Sequence, residues 1–249
     1  MAAVATPVHA PLEQLLHLAD NALVLGQRNA EWCGHGPVLE EDIALANMSL
    51  DLIGQARMLY QHAATVKGDG ATEDSLAYFR DAADFRNFTL LELPHASVAS
   101  ERDYAVTIVR NFLYSAYMLL QWEALMASSD TQLAGIAGKS LKEVKYHFRH
   151  SRDWLIRLGD GTAESHERTQ AALNQLMPYT AEFWTDAPAS TRVHWDDAVD
   201  DALKEAGLAR PPAVHAALPQ GKNRQPSEHR APLLAEMQSL ARAHPQALW

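Results

Sequence analysis

Glu143, His147, His150 and Trp154 recur at i, i+4, i+7 and i+11 along KSLKEVKYHFRHSRDWLIRLG, the stretch from Lys139 to Gly159. That spacing places a carboxylate and two imidazoles on one side of a helix. Beside them runs an apolar seam of Leu141, Val144, Phe148, Ser151, Leu155 and Leu158, also at alternating steps of three and four. Carboxylates and imidazoles next to a buried seam are the donor types an all-helical oxygenase uses to hold iron.

A di-iron carboxylate bundle needs one Glu from each of two helices and a Glu-x-x-His pair from each of two others, because residues three apart on a helix reach the same cluster. Of the twelve histidines, only His95 has an acid three residues before it, Glu92, and Pro94 between them breaks the helix that would align the two. Asp51 is followed three residues later by Gly54, which cannot ligate, and Glu143 by Tyr146, with His147 one step late and rotated by roughly 100°. The expectation is therefore that this chain has no iron site and no catalytic residue. Asp51, Glu143 and His147 are expected to be structural polar residues in the bundle, with Glu143 and His147 hydrogen-bonded to each other. Cys33 and His35 fall in a turn, EWCGHGP, and offer too few donors for a structural zinc site. Phosphate-binding, dinucleotide-binding and nucleophile-elbow motifs are absent from the sequence.

The elements that must position these residues are helical throughout. Leu12, Leu15, Leu16, Ala19, Ala22, Leu23 and Gly26 form a stripe after Pro11, with His17, Asp20 and Asn21 off it. From Leu39 to His62 two stripes appear, Leu45/Met48/Leu52/Leu59 and Leu50/Ile53/Tyr60, which predicts a helix covered on two sides. Shorter helices follow between Thr72 and Leu93. Ser100 and Asp103 resemble a capping box opening a helix to about Ala127, and Asp130 is placed to cap the next, which ends at Gly159 as a left-handed C-cap. Beyond Gly161, the pattern gives a helix from Ala163 to Trp184 kinked at Pro178 and a short acidic helix from Asp196 to Ala206. An irregular arm then spans Arg210 to Pro226, and a last helix starting near Pro232 turns Leu233, Met237 and Leu240 inward. The expected fold class is all-α, one domain over residues 1–249: a ferritin-like helical bundle with additional C-terminal helices.

Composition narrows the function. A formal net charge of −10 and a pI near 5.6, with no basic patch, argue against nucleic acid or an anionic membrane as partner. A single cysteine fits a reducing, cytoplasmic setting, and neither a secretory signal nor a membrane span is expected. Any of Trp32, Trp122, Trp154, Trp184, Trp195 and Trp249 could anchor an interface, although a Trp on a helical seam is more often core.

The motifs EWCGHGP, LEEDIALANMSLDLIGQAR, LKEVKYHFRHSRDWLIRLGDGT and PLLAEMQSLAR resemble those of the C-type subunits of ring-1,2-phenylacetyl-CoA epoxidase, a bacterial multicomponent oxygenase of phenylacetate degradation. The resemblance spans nearly the whole chain and is weakest from Ala163 to Gln225. It implies a structural subunit that pairs with a homologous A subunit, which holds the di-iron site and the substrate pocket. A B subunit, together with a reductase containing FAD and an iron–sulfur cluster, would complete a system that uses oxygen and NADPH to epoxidise the aromatic ring of phenylacetyl-CoA. No cofactor is implied for this chain, and no catalytic residue is carried over to it. The alternative reading is a free-standing ferritin-like di-iron enzyme or iron-binding protein.

Overall fold

The computed structural model describes residues 8–98, 100–185, 187–213 and 218–247; Trp249 lies outside them. Four long helices form the bundle: α1 (Leu12–Ala30), α2 (Leu39–Lys67), α5 (Tyr104–Leu125) and α6 (Thr131–Gly159). The loop after α1 returns the chain as α2 along α1, and a short turn returns α6 along α5, so two hairpins meet chiefly through α2 and α6. Between the hairpins lie two short helices, α3 (Glu73–Tyr78) and α4 (Thr89–Glu92). After the bundle come α7 (Ala163–Leu176), a 3-10 segment (Met177–Trp184), α8 (Ala189–Glu205) and α9 (Arg230–Ala243). Among the described residues there is no β-strand, and the fold is an all-helical, ferritin-like bundle with additional C-terminal helices.

Local chemistry explains several boundaries. Asp130 caps α6, its carboxylate accepting from the Gln132 and Leu133 amides at 3.0 and 3.1 Å. For α5 the cap is Asp103, accepting from Ala105 N at 3.0 Å, so the helix opens at Tyr104. Ser100 is not the cap; its hydroxyl closes a local turn with Arg102. Pro178 lacks an amide proton, and α7 tightens there into 3-10 geometry. The expected helix at Asp196 is longer, beginning at Ala189 behind Pro188.

Two expectations about glycine and burial are corrected. Gly159 is the last helical residue of α6, without left-handed backbone, and its role is close approach: a Cβ there would lie 2.5 Å from the Ala206 carbonyl oxygen of the segment after α8. His17, Asp20 and Asn21 of α1 are buried rather than off the core, because residues 85–88 fold over them. Their polar groups are satisfied there: Asp20 pairs with Arg80 and accepts from Tyr60 and the Arg86 amide, and Asn21 accepts from Phe88 N.

The C-terminal arm is bolted down by two buried carboxylates. Glu92 takes the fully buried Arg230 guanidinium at 2.6 Å and the Ser227 amide, while Glu182 accepts from Thr89 N and Lys222 N. Burial pushes the Glu182 carboxyl up from its ordinary range, opposed by those two amides. In α9, Leu233 is buried and Met237 half-buried, but Leu240 faces out at 57% exposure, against expectation.

Candidate functional site

The chemistry-bearing residues of α6 meet α2 along one polar seam. His147 is buried, and its Nε2 lies 3.0 Å from Asp51 Oδ2 on α2. Glu143 accepts from Gln55 Nε2 at 2.9 Å. One turn beyond His147, His150 Nε2 lies 2.8 Å from Glu41 Oε2, which also accepts from the Tyr104 hydroxyl at 2.6 Å. The expected Glu143–His147 hydrogen bond is therefore replaced by two bonds across the helix interface. The antiparallel register of α2 on α6 sets Gln55 beside Glu143 and Asp51 beside His147, and each group takes the partner facing it. The hydroxyl of Tyr104 is raised far above its ordinary range by burial and by its bond to Glu41.

These groups do not converge. Glu41 and Asp51 are ten residues apart on α2, roughly 15 Å of helix rise, so the two histidine–carboxylate pairs occupy separate levels of the seam. Among the described residues, the one trio of His, Cys, Asp or Glu donors that approaches a common point lies elsewhere, at His9, His62 and Asp130. The interior face between α5 and α6 holds the stacked rings of Phe112 and Phe148, 5.8 Å apart, and the hydroxyls of Ser115 and Ser151 at 3.4 Å. Between α1 and α5 the polar contact is a reciprocal amide pair, Asn29 with Asn111, at 3.0 and 2.9 Å. Amides and hydroxyls carry no negative charge, whereas two irons need several carboxylates to neutralise them. This donor set does not fit a di-iron centre.

Glu92 and His95 are drawn apart for the reason Pro94 suggests. Helix α4 stops at Glu92, and the chain runs extended from Leu93. His95 is buried with Nε2 donating to the Arg28 carbonyl at 2.8 Å, leaving Nδ1 to accept from Thr107 at 2.6 Å. Burial first, then the nearby Arg110 guanidinium, pulls the His95 imidazole down to about 2. It is a neutral core histidine.

Sequence spacing places Asp51, Glu143 and His147 in the bundle but does not identify Gln55 as the partner of Glu143, or Glu41 and Tyr104 as the groups that meet at His150. Glu41 sits in a run of three acids at the start of α2, which reads as an ordinary N-terminal charge preference. Nothing in the sequence singles it out.

Outside the seam, α2 carries an apolar face that the described residues leave largely uncovered. Leu39, Ile43, Ala46, Leu50 and Ile53 fall within one narrow strip of the helix, and Leu39 and Leu50 are 72% and 66% exposed. The second stripe expected to be buried is thus split: Tyr60 is core, while Leu50 and Ile53 face out. Tyr146 on α6 is also exposed.

The fold and the seam define a ferritin-like helical protein whose bundle is closed by paired side chains and aromatic packing. The model of the phenylacetic acid catabolic protein family matches residues 3–249, and the chain belongs to that family. Over 249 aligned residues it is 42% identical to the C-type subunit of 1,2-phenylacetyl-CoA epoxidase from Escherichia coli (strain K12), covering 94% of this chain and 97% of that protein. No helix among the described residues is long and apolar enough to cross a membrane.

Proposed function

We propose that this chain is the non-catalytic C-type subunit of a phenylacetyl-CoA epoxidase, and that it pairs with and stabilises a homologous A subunit that carries the di-iron site. The observation that carries the reading is the closed α2–α6 seam, where Glu41, Asp51 and Glu143 are each taken by a partner within the chain. No iron and no catalytic residue is assigned to this chain. The uncovered strip of α2 supports a lasting partner, since isolated large apolar side chains on a surface are common but an aligned row of them is a mark of an interface. Gly54 adds to this. It costs the helix roughly 1 kcal/mol relative to Ala, yet a Cβ there would meet none of the described residues within 4 Å beyond its own turn of helix.

The B subunit, the reductase with FAD and an iron–sulfur cluster, and a cytoplasmic setting belong to the same proposal. The test is co-expression with the A-type subunit, followed by iron analysis of each chain and of the complex. Iron in the complex that stays with the A-type chain on separation, together with turnover that requires both chains, supports the reading. About two tightly held irons on this chain alone, or epoxidation by it alone, would falsify it in favour of a free-standing di-iron protein.

A further inference from the structure

At the opposite end of α2 from the exposed apolar strip, three segments meet: the residues just before α1, the last turns of α2, and the N-cap of α6. His9, His62 and Asp130 each present one donor atom there, and the three atoms lie within 4.8 Å of one another. We propose that this trio is a binding site for a single zinc-type divalent cation, unrelated to the di-iron chemistry of the epoxidase.

The site is built rather than incidental. His62 and Asp130 are both buried, with Nε2 and Oδ2 2.6 Å apart. The orientation of the Asp130 carboxylate is fixed by the Gln132 and Leu133 amides on Oδ1, and the Ala10 amide donates to Oδ2 at 2.8 Å. That last bond also ties down the backbone next to His9, so the exposed imidazole is held near the pair by main chain. The rings of His9 and His62 already stand edge to face, with centroids 5.7 Å apart.

Two imidazoles and one carboxylate suit a borderline ion in tetrahedral coordination, with water at the fourth position on the exposed His9 side. Magnesium and calcium, which take six or more oxygens, are poorly served by this set. Donors around zinc stand about 3.3 Å apart, so loading requires the His62–Asp130 contact to open slightly and the His9 ring to close in, each by about 1 Å. The metal replaces the hydrogen bond between His62 Nε2 and Asp130 Oδ2, with the neutral imidazole carrying its ring proton on Nδ1. Because the α6 amides compete for the charge of Asp130, affinity should be micromolar rather than that of a closed four-ligand site.

The experiment uses full-length protein without a histidine tag, titrated with cobalt(II) as a spectroscopic stand-in and with zinc in competition. The expected result is one cobalt per chain, with the visible bands of a tetrahedral nitrogen and oxygen site, displaced by one equivalent of zinc. His9→Ala, which removes an exposed side chain and leaves the fold intact, should weaken binding at least about tenfold. Zinc should raise the melting temperature of the parent protein and not that of His9→Ala. Equal affinity in the parent and the variant, no saturable binding at 100 equivalents, or a sulfur-to-metal band implicating Cys33 would each overturn the assignment. Iron content and epoxidase turnover of the complex are read separately, so this result is independent of the proposed function.

Discussion

The ring of His147 is buried, but its partner Asp51 keeps about a third of its side chain in water. Removing the imidazole leaves a gap and an unpaired carboxylate that water can still reach, whereas removing Asp51 leaves a buried imidazole without its bond. Both His147→Ala and Asp51→Ala should therefore lower stability by about 1–3 kcal/mol, readable in urea denaturation. The epoxidation rate per assembled complex should not change. Loss of turnover in an intact complex with normal melting would move chemistry onto this chain. The sequence makes the participants visible but not their pairing, because an i, i+4 spacing allows a bond along α6 while the choice is made by the register of α2 against it. His95 carries a second residue-scale prediction. Its folded pKa, about 2, is below the ordinary 6.5 of the unfolded chain, so the unfolded state binds the extra proton. Stability from this group is complete above pH 6.5 and is lost progressively as pH falls from there towards 2. His95→Gln should flatten the slope of unfolding free energy between pH 6.5 and 5, by up to about one proton's worth, 1.4 kcal/mol per pH unit.

At the scale of elements, α6 is fixed at both ends by features of different legibility. Asp130 is visible as a cap because an N-cap is a local pattern of a short polar side chain before a periodic run. Gly159 is visible as a helix end, yet its reason is not: the Ala206 carbonyl comes from 47 positions further along the chain, and only the packing of α8 brings it there. Ala at 159 would suit the helix better and the contact worse. Gly159→Ala should destabilise by about 1–3 kcal/mol, since the backbone of residue 206 must shift to admit the methyl group. A neutral or stabilising effect in thermal melting would show that the α6–α8 contact relaxes freely. The arm after Arg210 shows the same division. Its prolines and glycine announce irregular backbone, but nothing local announces that Glu92 and Glu182 will anchor it.

For the whole molecule, the question is what the outer face of α2 meets. The sequence shows two apolar stripes on this helix, and counting alone makes both core. The fold places α1 and α6 against one stripe, and among the described residues Leu39, Ile43 and Leu50 are left without cover and Ile53 only partly covered. A partner helix laid along that row would bury it, and the glycine at 54 would let the two backbones approach closely. Ile43 and Leu50 can be changed without disturbing the bundle, because they are 51% and 66% exposed. Ile53 is a poorer probe, since its Cγ1 also packs near Gly26 of α1. In Ile43→Glu/Leu50→Glu the free chain should keep its stability within about 0.5 kcal/mol, as surface changes usually do. Placing two carboxylates in an apolar interface is a different matter, since each must be desolvated without a counter-charge. The complex with the A-type subunit should then weaken by at least about a hundredfold, measured by sedimentation equilibrium or by titration of labelled chains. A variant that assembles as well as the parent would show that the partner sits on another face, and the row on α2 would need a different explanation.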